Sequence, residues 1–157
     1  MFRAIVRKGI RWIRYKIGFG KSRGQIRKDV TVIPVQPNLD LIVYWKVLDI
    51  GKGPAAVLKV HETEVLKFDC FGMEKGHFHV APNYGKRIFF QDNTAIEQIE
   101  RTVQELNVNA QYYLNQLEQA HIRSITIEVE KLKDSTEIAK RKMIEFLNTV
   151  PALEDLK

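Results

Sequence analysis

From Lys86 to Val150 the chain contains neither glycine nor proline, while residues 1–85 hold all nine glycines and four of the five prolines. Gly and Pro are the residues that most strongly punctuate local structure. Their absence over so long a stretch leaves helices as its natural content, and their abundance before it suits short strands and turns. The two halves of the chain are therefore expected to differ in class. This asymmetry predicts an α+β fold, with strands first and helices after.

The helical half carries its own signals. Thr94-Ala95-Ile96-Glu97 matches a capping box, in which hydroxyl and carboxylate each satisfy an orphan backbone N–H. Ile96, Ile99, Val103, Leu106, Ala110, Tyr113 and Leu117 then recur at steps of three and four. That stripe can serve as a seam between helices or a homodimer, but packing on the sheet is the preferred reading. Ser124–Glu130 alternates like a strand, and Ile122, Ile125, Val129 and Leu132 also fit a helix; the lack of a breaker favours helix. Asp134, with Glu137 three residues later, reads as the cap of a last helix that Pro151 ends.

In the first half, Val30, Val32 and Val35 precede Pro37, and Leu41, Val43 and Trp45 alternate with Ile42, Tyr44 and Lys46. Ala56–His61, Glu64–Asp69, His77–Val80 and Arg87–Gln91 complete a set of short strands, with Gly51-Lys-Gly53-Pro54 read as a turn. Short strands joined by short turns favour an antiparallel meander. The expected architecture is an antiparallel sheet of about five or six strands packed against the long helix that starts near Asn93. An N-terminal basic amphipathic helix and a C-terminal helix flank it.

The first 28 residues hold ten Lys or Arg and no acid. Removing these ten from the chain's 25 leaves 15 basic against 19 acidic side chains, so the +6 net charge is a cationic arm on a mildly acidic body. Over residues 2–17, Phe2, Ile5, Val6, Ile10, Trp12, Ile13 and Ile17 share a helical face opposite Arg3, Arg7, Lys8, Arg11 and Arg14. Gly18 and Gly20 break that helix, and Lys21, Arg23, Arg27 and Lys28 follow in a polar linker. The division is thus 1–28, helix and linker, and 29–157, a single α+β domain. Charge gathered in this way points to an anionic partner. Three readings stay open: an arm on RNA or DNA phosphates, a helix on an anionic membrane surface or a protein partner, and a helix docked on its own sheet.

Other classes drop out. With 45% apolar and 28% charged residues the chain is globular, not disordered. One cysteine, Cys70, excludes an internal disulfide. No apolar run reaches the roughly 18–20 residues of a bilayer span. The basic interruptions of the N-terminus exclude a secretory signal, and a cytoplasmic protein, at most peripheral at the membrane, is expected. Gly18–Gly24 lacks the spacing of a phosphate-binding loop.

Chemistry concentrates in Lys67-Phe68-Asp69-Cys70-Phe71-Gly72-Met73-Glu74-Lys75-Gly76-His77-Phe78-His79. Residues i and i+2 of a strand share a face. A hairpin closed by the glycine-flanked loop would therefore bring Lys67, Asp69, His77 and His79 onto one sheet face. Such a set suits general acid–base cleavage of RNA, with Lys67 offsetting phosphate charge. It equally suits a divalent metal held by Asp69, His77 and His79, or a structural hydrogen bond beside a solvated His. No particular cofactor is implied. Cys70 has the opposite parity and belongs in the core.

The stretch from Val65 to about Leu117 resembles a family of small uncharacterised bacterial proteins. They share a basic–aromatic–Asp triplet, here Lys67-Phe68-Asp69, then His-x-His, here His77-Phe78-His79, then a helix. A similar order occurs in TumE-type components of toxin–antitoxin pairs, although Cys70 stands where that pattern has Asn. The resemblance implies an RNA-directed protein of toxin-like ribonuclease type, with Asp69, His77, His79 and Lys67 as its site; the basic arm lies outside the resemblance and would bind the backbone by its charge. The alternative is a non-enzymatic membrane-surface or partner-binding protein anchored by the N-terminal helix.

Overall fold

A computed structural model describes residues 26–154. Six strands pair antiparallel in chain order: β1 (Ile26–Gln36), β2 (Leu39–Leu48), β3 (Gly51–Val60), β4 (Thr63–Asp69), β5 (His77–Val80) and β6 (Ile88–Phe89). The meander is as expected. Asn38 and His61 take the positive φ that the tight β1–β2 and β3–β4 connections need, a conformation to which both residue types are well suited. Three helices follow: α1 (Ala95–Asn115), the single turn α2 (Ala120–Arg123) and α3 (Val129–Glu154). Among the described residues, no helix is long and apolar enough to cross a membrane.

The expected helix over residues 2–17, with Arg3, Arg7, Lys8, Arg11, Arg14, Lys21 and Arg23, lies outside the described residues. Arg27 and Lys28 do not belong to a linker; both are in β1. Arg27 is buried, places its guanidinium 4.6 Å from the centroid of the Tyr44 ring and pairs with Glu64 at 2.8 Å. Neither partner is a sequence neighbour, which is why composition alone misassigned it. Gly51–Pro54 opens β3, the turn being Asp49-Ile50, and β6 is shorter than Arg87–Gln91.

Strand parity gives the sheet two chemically different faces. One carries the row Val43, Ala56, Phe68, Phe78, Ile88, residues opposite one another on successive strands. This face, with Leu41, Trp45, Leu58, Val60 and Leu66, makes the main core with Ile99, Leu106, Ala110 and Leu114 of α1 and Leu132, Ala139, Met143 and Phe146 of α3. Cys70 sits in it, fully buried, as its parity predicts. The α1 stripe joins the core through Ile99, Leu106, Ala110 and, just beyond the helix, Leu117, while Ile96 is exposed. The helix lying along β1, β2 and β3 is α3; α1 packs against α3 and β4.

The opposite face carries the row Tyr44, Ala55, Asp69, His77, Phe89 and, beside it, Ile42, Val57, Lys67, His79. Lys67, Asp69, His77 and His79 all lie on this side of the sheet.

Helix boundaries follow tertiary partners. Thr94 and Glu97 form the predicted capping box. Ser124 caps α2 in the αR conformation, and residues 125–128 belong to no helix or strand; two glutamine amides bond their backbone. Gln36 bonds Thr126 O at 3.0 Å and Glu128 N at 2.7 Å; Gln111 bonds Ile125 O at 3.0 Å and Ile127 N at 2.8 Å. So α3 starts at Val129, Asp134 lies inside it and caps nothing, and the helix runs through Pro151 to Glu154.

A third glutamine fixes the loop between β4 and β5. Gln98, fully buried on α1, accepts from Gly72 N at 2.9 Å and donates to Met73 O at 3.1 Å and Asp92 O at 2.9 Å. A Cβ on Gly76 would overlap that amide. Replacing Gly76 by Ala is therefore expected to displace Gln98 and remove three buried hydrogen bonds. At about 1 kcal/mol each the cost is about 3 kcal/mol, and thermal unfolding should show a Tm lower by about 10 °C.

Candidate functional site

The β4–β5 register brings the expected residues together. Asp69 stands opposite His77, and Lys67 opposite His79. One ligand-capable atom from each of Asp69, His77 and His79 lies within 4.8 Å of the others. From Asp69 Oδ2, His77 Nε2 is 3.2 Å away and His79 Nε2 3.8 Å. Asp69 and His77 are fully buried, and the His79 side chain keeps 11% of its surface exposed. His79 is thus the edge at which this cluster meets solvent.

The ring orientations are set from behind. His77 Nδ1 is 2.9 Å from the carbonyl of Lys75, and His79 Nδ1 is 2.7 Å from that of Tyr84. A carbonyl only accepts, so each Nδ1 carries a proton and donates it. In the neutral ring Nε2 is then a bare acceptor. Both rings aim such an acceptor at a carboxylate oxygen. The His77 Nε2 lies close to Asp69 but off the line of a formed hydrogen bond, and it has no other partner.

The residue that sequence reasoning missed is Lys46. Its ammonium donates to Asp69 Oδ1 at 2.9 Å and Oδ2 at 2.7 Å, with both side chains sealed from solvent. Lys46 lies on β2 and Asp69 on β4, about 10 Å apart in the sheet. The intervening residues on that face are Gly53 and Ala55, whose small size lets the lysine cross β3. A signal existed: Lys46 is the one charge inside Leu41–Leu48, and alternation puts it on the Tyr44 face. Lys67 does not touch Asp69; it lies half-buried with its ammonium 5.4 Å from the centroid of the Tyr84 ring, which also stacks on His79. Arg27 is paired with Glu64 on this side of the sheet and is not a free cation for a polymer backbone. His61 sits in the β3–β4 turn, its ring 5.1 Å from that of His121, and takes no part.

The charges shift one another. Burial alone would raise the Asp69 carboxyl; a donor proton from His77, where its Nε2 carries one, and the charge and hydrogen bonds of Lys46 lower it. Burial lowers the Lys46 ammonium to about 8, with Asp69 opposing. Burial and then Lys67 bring His79 down to about 4, against the pull of Asp69. The Cys70 thiol, pushed up by burial to about 12, is no nucleophile.

Two outcomes follow. Asp69→Asn leaves Lys46 charged and buried, which is expected to cost about 3–5 kcal/mol. Adding Lys46→Met should recover most of that in denaturant unfolding, because the stranded charge goes with it. Acidification acts through His79. Below pH 6.5 the unfolded chain takes up a proton that the folded ring refuses until about 4, so stability falls as pH drops through that window. A plot of Tm against pH should lose that slope in His79→Asn.

Comparison with protein-family models, curated proteins and solved structures finds no match to this chain.

Proposed function

We propose that the protein acts on nucleic acid, RNA first, as a toxin-like ribonuclease whose centre is Asp69, His77 and His79. The observation that supports this reading is the convergence of three acceptors, one carboxylate and two imidazoles, on one point beside cations. Hydrolysis or transfer at a phosphodiester needs a group that takes a proton from the attacking oxygen, or an ion that activates it, and positive charge for the phosphorane. The trio supplies the first need. Lys67, at the same edge as His79, supplies the second, and Lys46 keeps Asp69 ionised. The eight cations of residues 1–25 give affinity for the phosphate backbone without sequence preference.

His79→Ala is expected to lower cleavage of a mixed RNA substrate by about 10²–10⁴-fold while circular dichroism stays unchanged. His77→Asn should do the same. Wild-type protein that leaves RNA intact, both with and without added divalent metal, would remove the catalytic reading.

A further inference from the structure

With both rings neutral, each histidine presents an acceptor to an oxygen that is itself an acceptor. At 3.2 Å such a contact is repulsive unless a cation lies between the atoms. One extra proton would serve one ring. A metal ion serves both rings and the carboxylate at once. We propose that Asp69 Oδ2, His77 Nε2 and His79 Nε2 form a binding site for a divalent first-row transition metal of the Zn2+ class, with open positions toward the His79 edge.

The two separations from Asp69 approach those of a metal site, and the three ligand atoms lie within 4.8 Å of one another. Ligands about 2.0–2.2 Å from a tetrahedral Zn2+ lie about 3.3–3.6 Å from one another; the separations from Asp69 are 3.2 and 3.8 Å, and side-chain rotation of His79 at the open edge closes the set on the ion. The buried His77 Nε2, without a hydrogen-bond partner, aims into the same point. The outer contacts are those of a metal centre: both Nδ1–H groups are held by backbone carbonyls, which fixes the tautomer and makes Nε2 the ligand. Lys46 bonds both carboxylate oxygens; Oδ1 stays with it when Oδ2 turns to the ion. Two nitrogens and one oxygen, with the lone thiol buried in the core on the other side of the sheet, select Zn2+, Co2+ or Fe2+ over Mg2+, Ca2+ or Cu+.

The site stands on these side chains and not on RNA cleavage. His61 and His121, whose rings are neighbours, are the natural source of adventitious binding, so the full chain is tested with both replaced by Ala. After chelator stripping, this variant should take up one Zn2+ per chain by equilibrium dialysis and give Co2+ d–d absorption without a thiolate charge-transfer band. His79→Ala and His77→Asn in that background should each weaken binding at least 100-fold, with the fold checked by circular dichroism. Asp69→Asn paired with Lys46→Met gives a third variant free of stranded charge, and it too should lose the metal. Absence of uptake, uptake that vanishes in the His61/His121 background, or retention in the His77 and His79 variants would overturn the site. Metal uptake without RNA cleavage would overturn the proposed function and leave the site standing.

Discussion

The buried pair between Lys46 and Asp69 conditions everything else on its face of the sheet. A carboxylate removed from water is tolerated only when its lone pairs meet positive or donating groups, and Lys46 meets both oxygens. The pair spans β3, so it ties β2 to β4 over Gly53 and Ala55. It also leaves Asp69 ionised beside two histidines whose rings are held from behind by backbone carbonyls. Without it, the face would hold two imidazoles with nothing to point at.

The helices act on this site although they lie on the other side of the sheet. Gln98 of α1 grips the loop after Asp69 through Gly72 N and Met73 O. The same loop contributes the Lys75 carbonyl that holds the His77 ring. Tyr84 does the equivalent for His79 by its own carbonyl. Neither ring is oriented by another side chain, so the precision of the trio depends on backbone placed by the core.

Asp69, His77 and His79 were legible because strand parity and a glycine-flanked loop are local facts. The meander, the capping box at Thr94 and the inward Cys70 were legible for the same reason. Lys46 was not singled out, since its partner lies two strands away and 23 residues on. Arg27 was misassigned for the same cause, its Glu64 partner being 37 residues distant. Asp134 carried a sound local capping pattern, yet α3 begins five residues earlier, where the glutamine-held segment ends. Residues 124–130 balanced strand against helix in their own sequence; Val129 and Glu130 join α3, and the amides of Gln36 and Gln111 hold the backbone just before them.

Those amides bear on how the chain reaches its native state. Gln36 meets Thr126 and Glu128 across 90 and 92 positions of sequence. Gln111 of α1 reaches the approach segment to α3 over 14 and 16 positions, whereas the segment gains its Gln36 partners only once β1 is in place. Closing so long a loop is slow compared with forming a hairpin or a helix. By sequence separation, the strand pairings of the meander are local contacts and the Gln36 bonds that seat α3 among the most distant. The polar face, built from β2 to β5, rests only on pairings between strands that are neighbours in sequence.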